Sequence, residues 1–151
     1  MKPCTVFYPS RRFMALALVM SLVGGLFLPQ PLLAASAKVI TIQSQKFTVE
    51  IADDNETRQK GLMGRRSLAP NHGMLFLYSR PMSVEMWMKD TPLALDMVFI
   101  NSHHRISHIV HDAKPFSTTT IPSNGEVIAV IEFTAGTAKR KGLKIGDRVE
   151  Y

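Results

Sequence analysis

From residue 38 to its end, the chain is a series of short runs in which apolar and polar residues alternate. The first two runs, residues 39–43 and 47–51, lie on either side of the polar pair Ser44-Gln45. Alternation with a period of two places the apolar side chains on one face of a strand. A very short polar connection between two such runs is typical of a β-hairpin. This pattern favours strands joined by tight turns over a helical bundle.

Six further runs extend this pattern, and turn-forming residues separate them. They are residues 74–78, 84–89, 97–101, 105–111, 127–134 and 148–151. Eight strands with little helix predict a compact, mainly β domain, an antiparallel β-sandwich or barrel. A jelly roll is one arrangement compatible with this count.

Only two short helices are expected beside these strands. The first is predicted between Asp54 and Met63, because Asp53 is suited to cap it and Glu56 occupies the capping-box position three residues later. Gly64 is expected to end this helix. A second helical turn is predicted over residues 136–141.

The first 37 residues have a different composition. Lys2, Arg11 and Arg12 are charged, no acidic residue is present, and residues 13–28 form an uncharged apolar run. This run is shorter than the roughly 20 residues that span a bilayer. Small residues at 35–37 then offer a cleavage site. The sequence predicts a signal peptide over residues 1–37, removed near Ala37, and a single exported domain over residues 38–151.

Export would place this domain in the periplasm or outside the cell, with transient membrane contact through the signal peptide. The sole cysteine, Cys4, lies within the predicted signal peptide, so the mature domain would have no disulfide. The net charge is +6, and 3 of the 18 basic residues precede residue 38. The remaining basic excess is small, and we expect no nucleic-acid partner.

Candidate binding residues concentrate in residues 85–96. Asp96 lies between Leu95 and Met97, and an acid in an apolar strand needs a basic partner or several hydrogen-bond donors. An ion pair with an arginine could fix a turn, or the same residues could form a polar pocket beside an indole. The predicted pocket would bind a small polar or anionic ligand, or a protein partner. Its candidate residues are Arg58, Arg65, Trp87, Lys89, Thr91 and Asp96.

Several ordered motifs resemble those of one known family. They are Arg58-x-x-Gly61-Leu62-Met63-x-Arg65, Gly73-Met74-Leu75-Phe76, and Trp87-Met88-Lys89-x-Thr91 followed by Leu95-Asp96. Through these motifs, residues 44–151 resemble the domain of unknown function 192 family (uncharacterised protein family 0127). The resemblance implies a compact, mainly β domain, often exported in bacteria, with no established biochemical activity.

Two other function classes remain open at the level of sequence. No known catalytic motif is present, and an enzyme of hydrolase type would use Asp96 as its acid or base. A metal-binding protein would use the thioethers of Met86 and Met88 for Cu(I), or His104 and His108, which share one face of a predicted strand. No cofactor is identified by a motif; the methionines suggest Cu(I), and the histidines leave binding of another metal open.

Overall fold

The computed structural model describes residues 37–151. Residues 1–36, with most of the predicted signal peptide and Cys4, lie outside the described residues. The described part contains nine strands and two short helices. They are β1 (Ala37–Ile42), β2 (Gln45–Ala52), α1 (Asn55–Lys60), β3 (His72–Met82), β4 (Glu85–Met86), β5 (Leu95–Ile100), β6 (Ile106–Ala113), β7 (Ile121–Pro122), β8 (Val127–Thr134), α2 (Thr137–Arg140) and β9 (Val149–Glu150).

Seven strands form one sheet in the order β6-β5-β8-β3-β2-β1-β9, and the sheet curls into a half-barrel. The short strands β4 and β7 pair separately. The mainly β class with two short helices is confirmed. One pair, β2 with β3, is parallel and departs from the antiparallel expectation. A parallel pair requires the chain to return from the end of β2 to the level at which β2 begins. The segment between the two strands, which contains α1, is long enough to do so.

The predicted first hairpin is confirmed. β1 and β2 pair antiparallel, with Ile40 opposite Phe47. Gln43 and Ser44 form the connection, one residue earlier than the Ser44-Gln45 pair, and both have positive φ angles, 48° and 65°. Two consecutive residues in this region match the turn whose twist fits a two-residue hairpin.

The start of α1 differs from the prediction by one residue. Asp54, rather than Asp53, caps the helix, and its side chain accepts a hydrogen bond of 2.8 Å from the Thr57 backbone N–H. The Thr57 hydroxyl in turn accepts from the Asp54 backbone N–H, so Thr57 completes the capping box that was assigned to Glu56. The helix ends at Lys60, and Gly61 follows it with a φ of 45°. Its end therefore comes earlier than the predicted stop at Gly64.

Apolar side chains are buried on both faces of the central strands. Leu75, Ile131 and Phe133 belong to a cluster on one face, which also packs against β1 and β9. The alternate residues Met74 and Phe76 belong to a second cluster on the other face. This second cluster contains the buried methionines Met74, Met86, Met88 and Met97. Neither helix within residues 37–151 has the length and apolarity that a membrane crossing requires.

Candidate functional site

A cavity of about 190 Å³ opens at the edge of the second cluster. Its walls come from α1 and the residues after it, from β3, from the segment that starts at β4, and from β8. The side chains that matter for its chemistry are Arg58, Lys60, Tyr78, Glu85, Trp87, Lys89, Thr91 and Glu132. Four of the six residues predicted for the ligand site, Arg58, Trp87, Lys89 and Thr91, therefore line one cavity.

Glu132 of β8 is the most buried acidic residue of this cavity. Its exposed fraction is 4%, and its neighbours across the sheet are Met74 on β3 and Met97 on β5. The described part of the chain gives its carboxyl group no hydrogen-bond partner, and the carboxyl oxygens are not sealed from the cavity. Burial raises the pKa of Glu132 to about 8. The group is therefore mostly protonated at neutral pH.

Tyr78 of β3 also lines the cavity. Its hydroxyl group donates a hydrogen bond to the Met86 sulfur at 3.8 Å. Burial raises the pKa of Tyr78, and the charge of Glu132 acts in the same direction, while Arg58 opposes both. Tyr78 is therefore an uncharged phenol at the edge of the apolar wall.

Arg58 of α1 is fixed by hydrogen bonds to its own surroundings. Nη1 donates to the carbonyl oxygens of Asp53 at 2.6 Å and Leu77 at 2.8 Å, and Nη2 donates to Asn55 Oδ1 at 2.7 Å. The guanidinium carbon lies 5.6 Å from the centre of the Tyr78 ring, within reach of a cation–π contact. Arg58 ties α1 to β3 and brings a positive charge to the cavity.

Trp87 and Lys89 point outward from the segment that follows β4, while Met88 between them is wholly buried. This alternation is the one that the sequence predicts. The exposed fraction of Trp87 is 45%, and Lys89 Nζ lies 5.6 Å from the centre of its ring. The Thr91 hydroxyl donates to the Lys89 carbonyl oxygen at 3.1 Å and holds the following turn. Lys89 and the indole thus form a paired rim of the cavity.

The other two predicted site residues, Asp96 and Arg65, do not line this cavity. Asp96 is fully buried, and its carboxylate accepts backbone hydrogen bonds from Ala138 at 2.8 Å and Asp112 at 3.1 Å. Of the two alternatives that the sequence left open for Asp96, several hydrogen-bond donors are present, and neither candidate arginine, Arg58 or Arg65, is its partner. Backbone N–H groups, supplied by elements distant in sequence, satisfy the buried acid instead. Arg65 forms its ion pair with Glu50.

The residues proposed for metal binding have other contacts. Met88 is wholly buried, and Met86 accepts the Tyr78 hydrogen bond. The His104 ring lies 5.2 Å from that of Tyr151, and the His108 ring stacks 5.5 Å from that of Phe99. Within residues 37–151, no group of three or more His, Cys, Asp or Glu side chains is arranged to hold a metal ion.

Glu132 and Tyr78 are the cavity residues that sequence reasoning missed. Glu132 interrupts the apolar run Val-Ile-Ala-Val-Ile-Glu-Phe of residues 127–133. The argument that singled out Asp96, an acid within an apolar strand, applies equally to Glu132. Tyr78, at the end of a predicted strand, carried no such signal.

Together, the curled sheet and the cavity on its second face define a small, mainly β domain with a partly apolar recess between α1 and β8. The chain belongs to the DUF192 family, described as Uncharacterized ACR, whose sequence profile matches residues 38–151. The family resemblance stated from the motifs is thereby confirmed.

Two solved structures share this fold. One is the crystal structure of a proposed transcription regulator from Sinorhizobium meliloti 1021, with 43% sequence identity and a TM-score of 0.74. The match covers 77% of this chain and 94% of that chain. The other is a protein of unknown function from Novosphingobium aromaticivorans DSM 12444, with 32% identity and a TM-score of 0.75, covering 81% of this chain and 90% of that one. A search of the curated proteins found no match.

Proposed function

We propose that this domain binds a small organic anion with an apolar body in the cavity beside Trp87. The observation that carries the proposal is the combination of an apolar wall with a positively charged rim. Leu62, Phe76 and Met86 contribute to the wall. Pockets for small molecules commonly combine such walls with a few polar groups that orient the ligand.

The volume of the cavity limits the size of the ligand. An apolar cavity of about 150 Å³ is large enough for benzene, and this cavity measures about 190 Å³. A ligand with one six-membered ring would fill it, and the aromatic side chains of Phe76, Tyr78 and Trp87 favour a flat ring. The polar end of such a ligand would reach the rim.

The charges of the lining favour an anion. Arg58, Lys60 and Lys89 are basic, whereas Glu85 is the one exposed acid and Glu132 is mostly uncharged at neutral pH. Because Arg58 is already held by three oxygen acceptors, Lys60 and Lys89 are the cations that would contact the ligand. Each such contact is charge-assisted and stronger than a hydrogen bond between neutral groups.

Titration with benzoate tests this proposal, because Trp87 is the only tryptophan and its fluorescence reports on the cavity. We expect a saturable change in the wild type. The double variant Lys60→Gln/Lys89→Gln should bind about tenfold more weakly, since both charges are lost. Lys46→Gln, an exposed lysine of β2 outside the lining, is the matched control and should bind as the wild type does. Absence of saturable binding, or an equal loss in the control, would contradict the proposal.

Asp96 has no part in this proposed site, because both of its carboxylate oxygens already hold backbone N–H groups. The hydrolase alternative based on Asp96 is therefore not carried forward.

We also propose that the domain acts after export, in the periplasm or outside the cell, with cleavage near Ala37. The basic, acid-free start of the chain and the apolar run of residues 13–28 support this location. Mass determination of the mature protein from fractionated cells tests it. A mature chain that begins near residue 38 is expected, and a cytoplasmic chain that still begins at Met1 would contradict the proposal.

A further inference from the structure

We propose that Glu132 hydrogen-bonds a hydroxyl group at the inner end of the ligand, so that the cavity selects small hydroxylated carboxylic acids. This inference rests on the proposed function and names the class of ligand more closely. In this arrangement the carboxylate of the ligand contacts Lys60 and Lys89 at the rim of the cavity. Its hydroxyl group contacts Glu132 at the inner end.

Glu132 is buried in the sheet and lines the inner part of the cavity. Its exposed fraction is 4%, the exposed part faces the cavity, and Met74 and Met97 lie beside it across the sheet. Buried polar groups nearly always have hydrogen-bond partners. The described residues provide none for this carboxyl group, and its oxygens are open to the cavity, so a polar group of a bound ligand is placed to hydrogen-bond it.

The charge state of Glu132 decides which ligand group fits. Burial keeps the carboxyl group mostly protonated at neutral pH, and a protonated carboxyl group donates one hydrogen bond and accepts another. A hydroxyl group is the smallest group that does the same. A second carboxylate at this depth would be a buried charge with no cation beside it, and such burial is costly.

The charged groups elsewhere in the cavity lining disfavour a cationic partner for Glu132. α1 and the segment after β4 contribute Arg58, Lys60 and Lys89, which would repel an ammonium group entering the cavity. β3 contributes Tyr78, whose pKa is raised by burial, and β4 contributes the exposed Glu85. β5 contributes only the uncharged Met97 at this position.

Two ligands of matched shape test the inference: 4-(hydroxymethyl)benzoate and 4-ethylbenzoate, which differ by a hydroxyl in place of a methyl group. Calorimetric titration of the wild type at pH 6 should show a preference of about tenfold or more for the hydroxylated acid, because 4-ethylbenzoate leaves Glu132 without a partner. In Glu132→Met, which matches the flanking methionines, the preference should disappear or reverse.

The variant Glu132→Gln separates the charge of Glu132 from its hydrogen bonding. Glutamine keeps a donor and an acceptor but does not titrate, so this variant should bind each acid equally well at pH 6 and pH 9. The wild type should bind both acids more weakly at pH 9 than at pH 6, because Glu132 is then mostly ionised and its charge repels the carboxylate of the ligand. Its preference for the hydroxylated acid should remain at pH 9, since a carboxylate still accepts a hydrogen bond from a hydroxyl group. Glu85→Gln, at the exposed rim, should keep the pH dependence of the wild type.

The outcomes distinguish this inference from the proposed function. Equal affinity of the wild type for both acids would overturn the inference and leave anion binding intact. A preference that survives in Glu132→Met would overturn it as well. If neither acid binds at any pH, the proposed function itself fails, and the inference fails with it.

Discussion

Asp96 Oδ2 accepts a hydrogen bond of 2.8 Å from the backbone N–H of Ala138. Ala138 lies in the first turn of α2, whose N-cap residue, Gly136, has no side chain that could cap the helix. The carboxylate of Asp96, on β5, therefore accepts a hydrogen bond that an N-cap side chain would otherwise accept. Its other oxygen accepts from the Asp112 backbone N–H near the end of β6. One fully buried acid thus ties β5 to both α2 and β6.

Replacement of this acid should destabilise the domain. Asp96→Ala removes the acceptor of two backbone donors, and each buried donor left without a partner costs about 1–3 kcal/mol. We expect the free energy of unfolding, measured with urea, to fall by about 3 kcal/mol or more. Asp96→Asn should lose less, since its amide oxygen still accepts one bond. Glu126→Ala, which removes an exposed acid, is the control, and an equal effect in both alanine variants would contradict this role for Asp96.

The raised pKa of Glu132 predicts how the free energy of unfolding depends on pH. Its pKa is raised from about 4.5 to about 8 in the folded protein, so the folded state binds more protons than the unfolded state between these values. The contribution of Glu132 to the free energy of unfolding is fully present below about pH 4.5. It decreases by up to about 1.4 kcal/mol per pH unit as the pH rises, and it is lost above about pH 8. Urea unfolding between pH 5 and pH 9 should show this decrease in the wild type.

The comparison with Glu132→Gln isolates the contribution of this one group, because every other titratable group is common to both proteins. We expect the difference in unfolding free energy to shift in favour of the variant as the pH rises. Two parallel curves would show that Glu132 titrates normally in the folded protein.

Gly73 should tolerate no side chain. A Cβ atom at this position of β3 would lie 2.4 Å from the Glu132 carbonyl oxygen and 2.8 Å from the Phe133 ring. Because backbone cannot move aside cheaply, Gly73→Ala should lower the free energy of unfolding by about 1–3 kcal/mol. It should also disturb β8 at the floor of the cavity. Ser79→Ala, at an exposed position of the same strand, should leave the unfolding curve unchanged, and an unchanged curve for Gly73→Ala would refute the close approach.

The capping of α1 gives a test in which adjacent residues are compared. Asp54→Ala removes the acceptor for the Thr57 N–H and should lower the thermal unfolding temperature measurably. The same change at Asp53, whose exposed side chain makes no such bond, should have little effect. Thermal unfolding of both variants measures the difference, and a larger loss at Asp53 would favour the cap expected from sequence.

The sequence alone determined the mainly β class, the first hairpin, strand β8 and the family, because these follow from neighbours along the chain. Alternation of apolar residues, two-residue turns and ordered motifs are all local signals. The same local alternation correctly placed Trp87 and Lys89 outward and Met88 inward.

Only the tertiary structure decided which polar residues meet. Asp96 and Glu132 are alike in sequence, since each is an acid in an apolar strand. Asp96 accepts hydrogen bonds from backbone N–H groups of α2 and β6. Glu132 instead lines a cavity whose other walls are α1, β3 and the segment that starts at β4. This difference depends on strand order and on the parallel crossover between β2 and β3. Neither can be read from the residues around a single acid, because the partners come from distant parts of the chain.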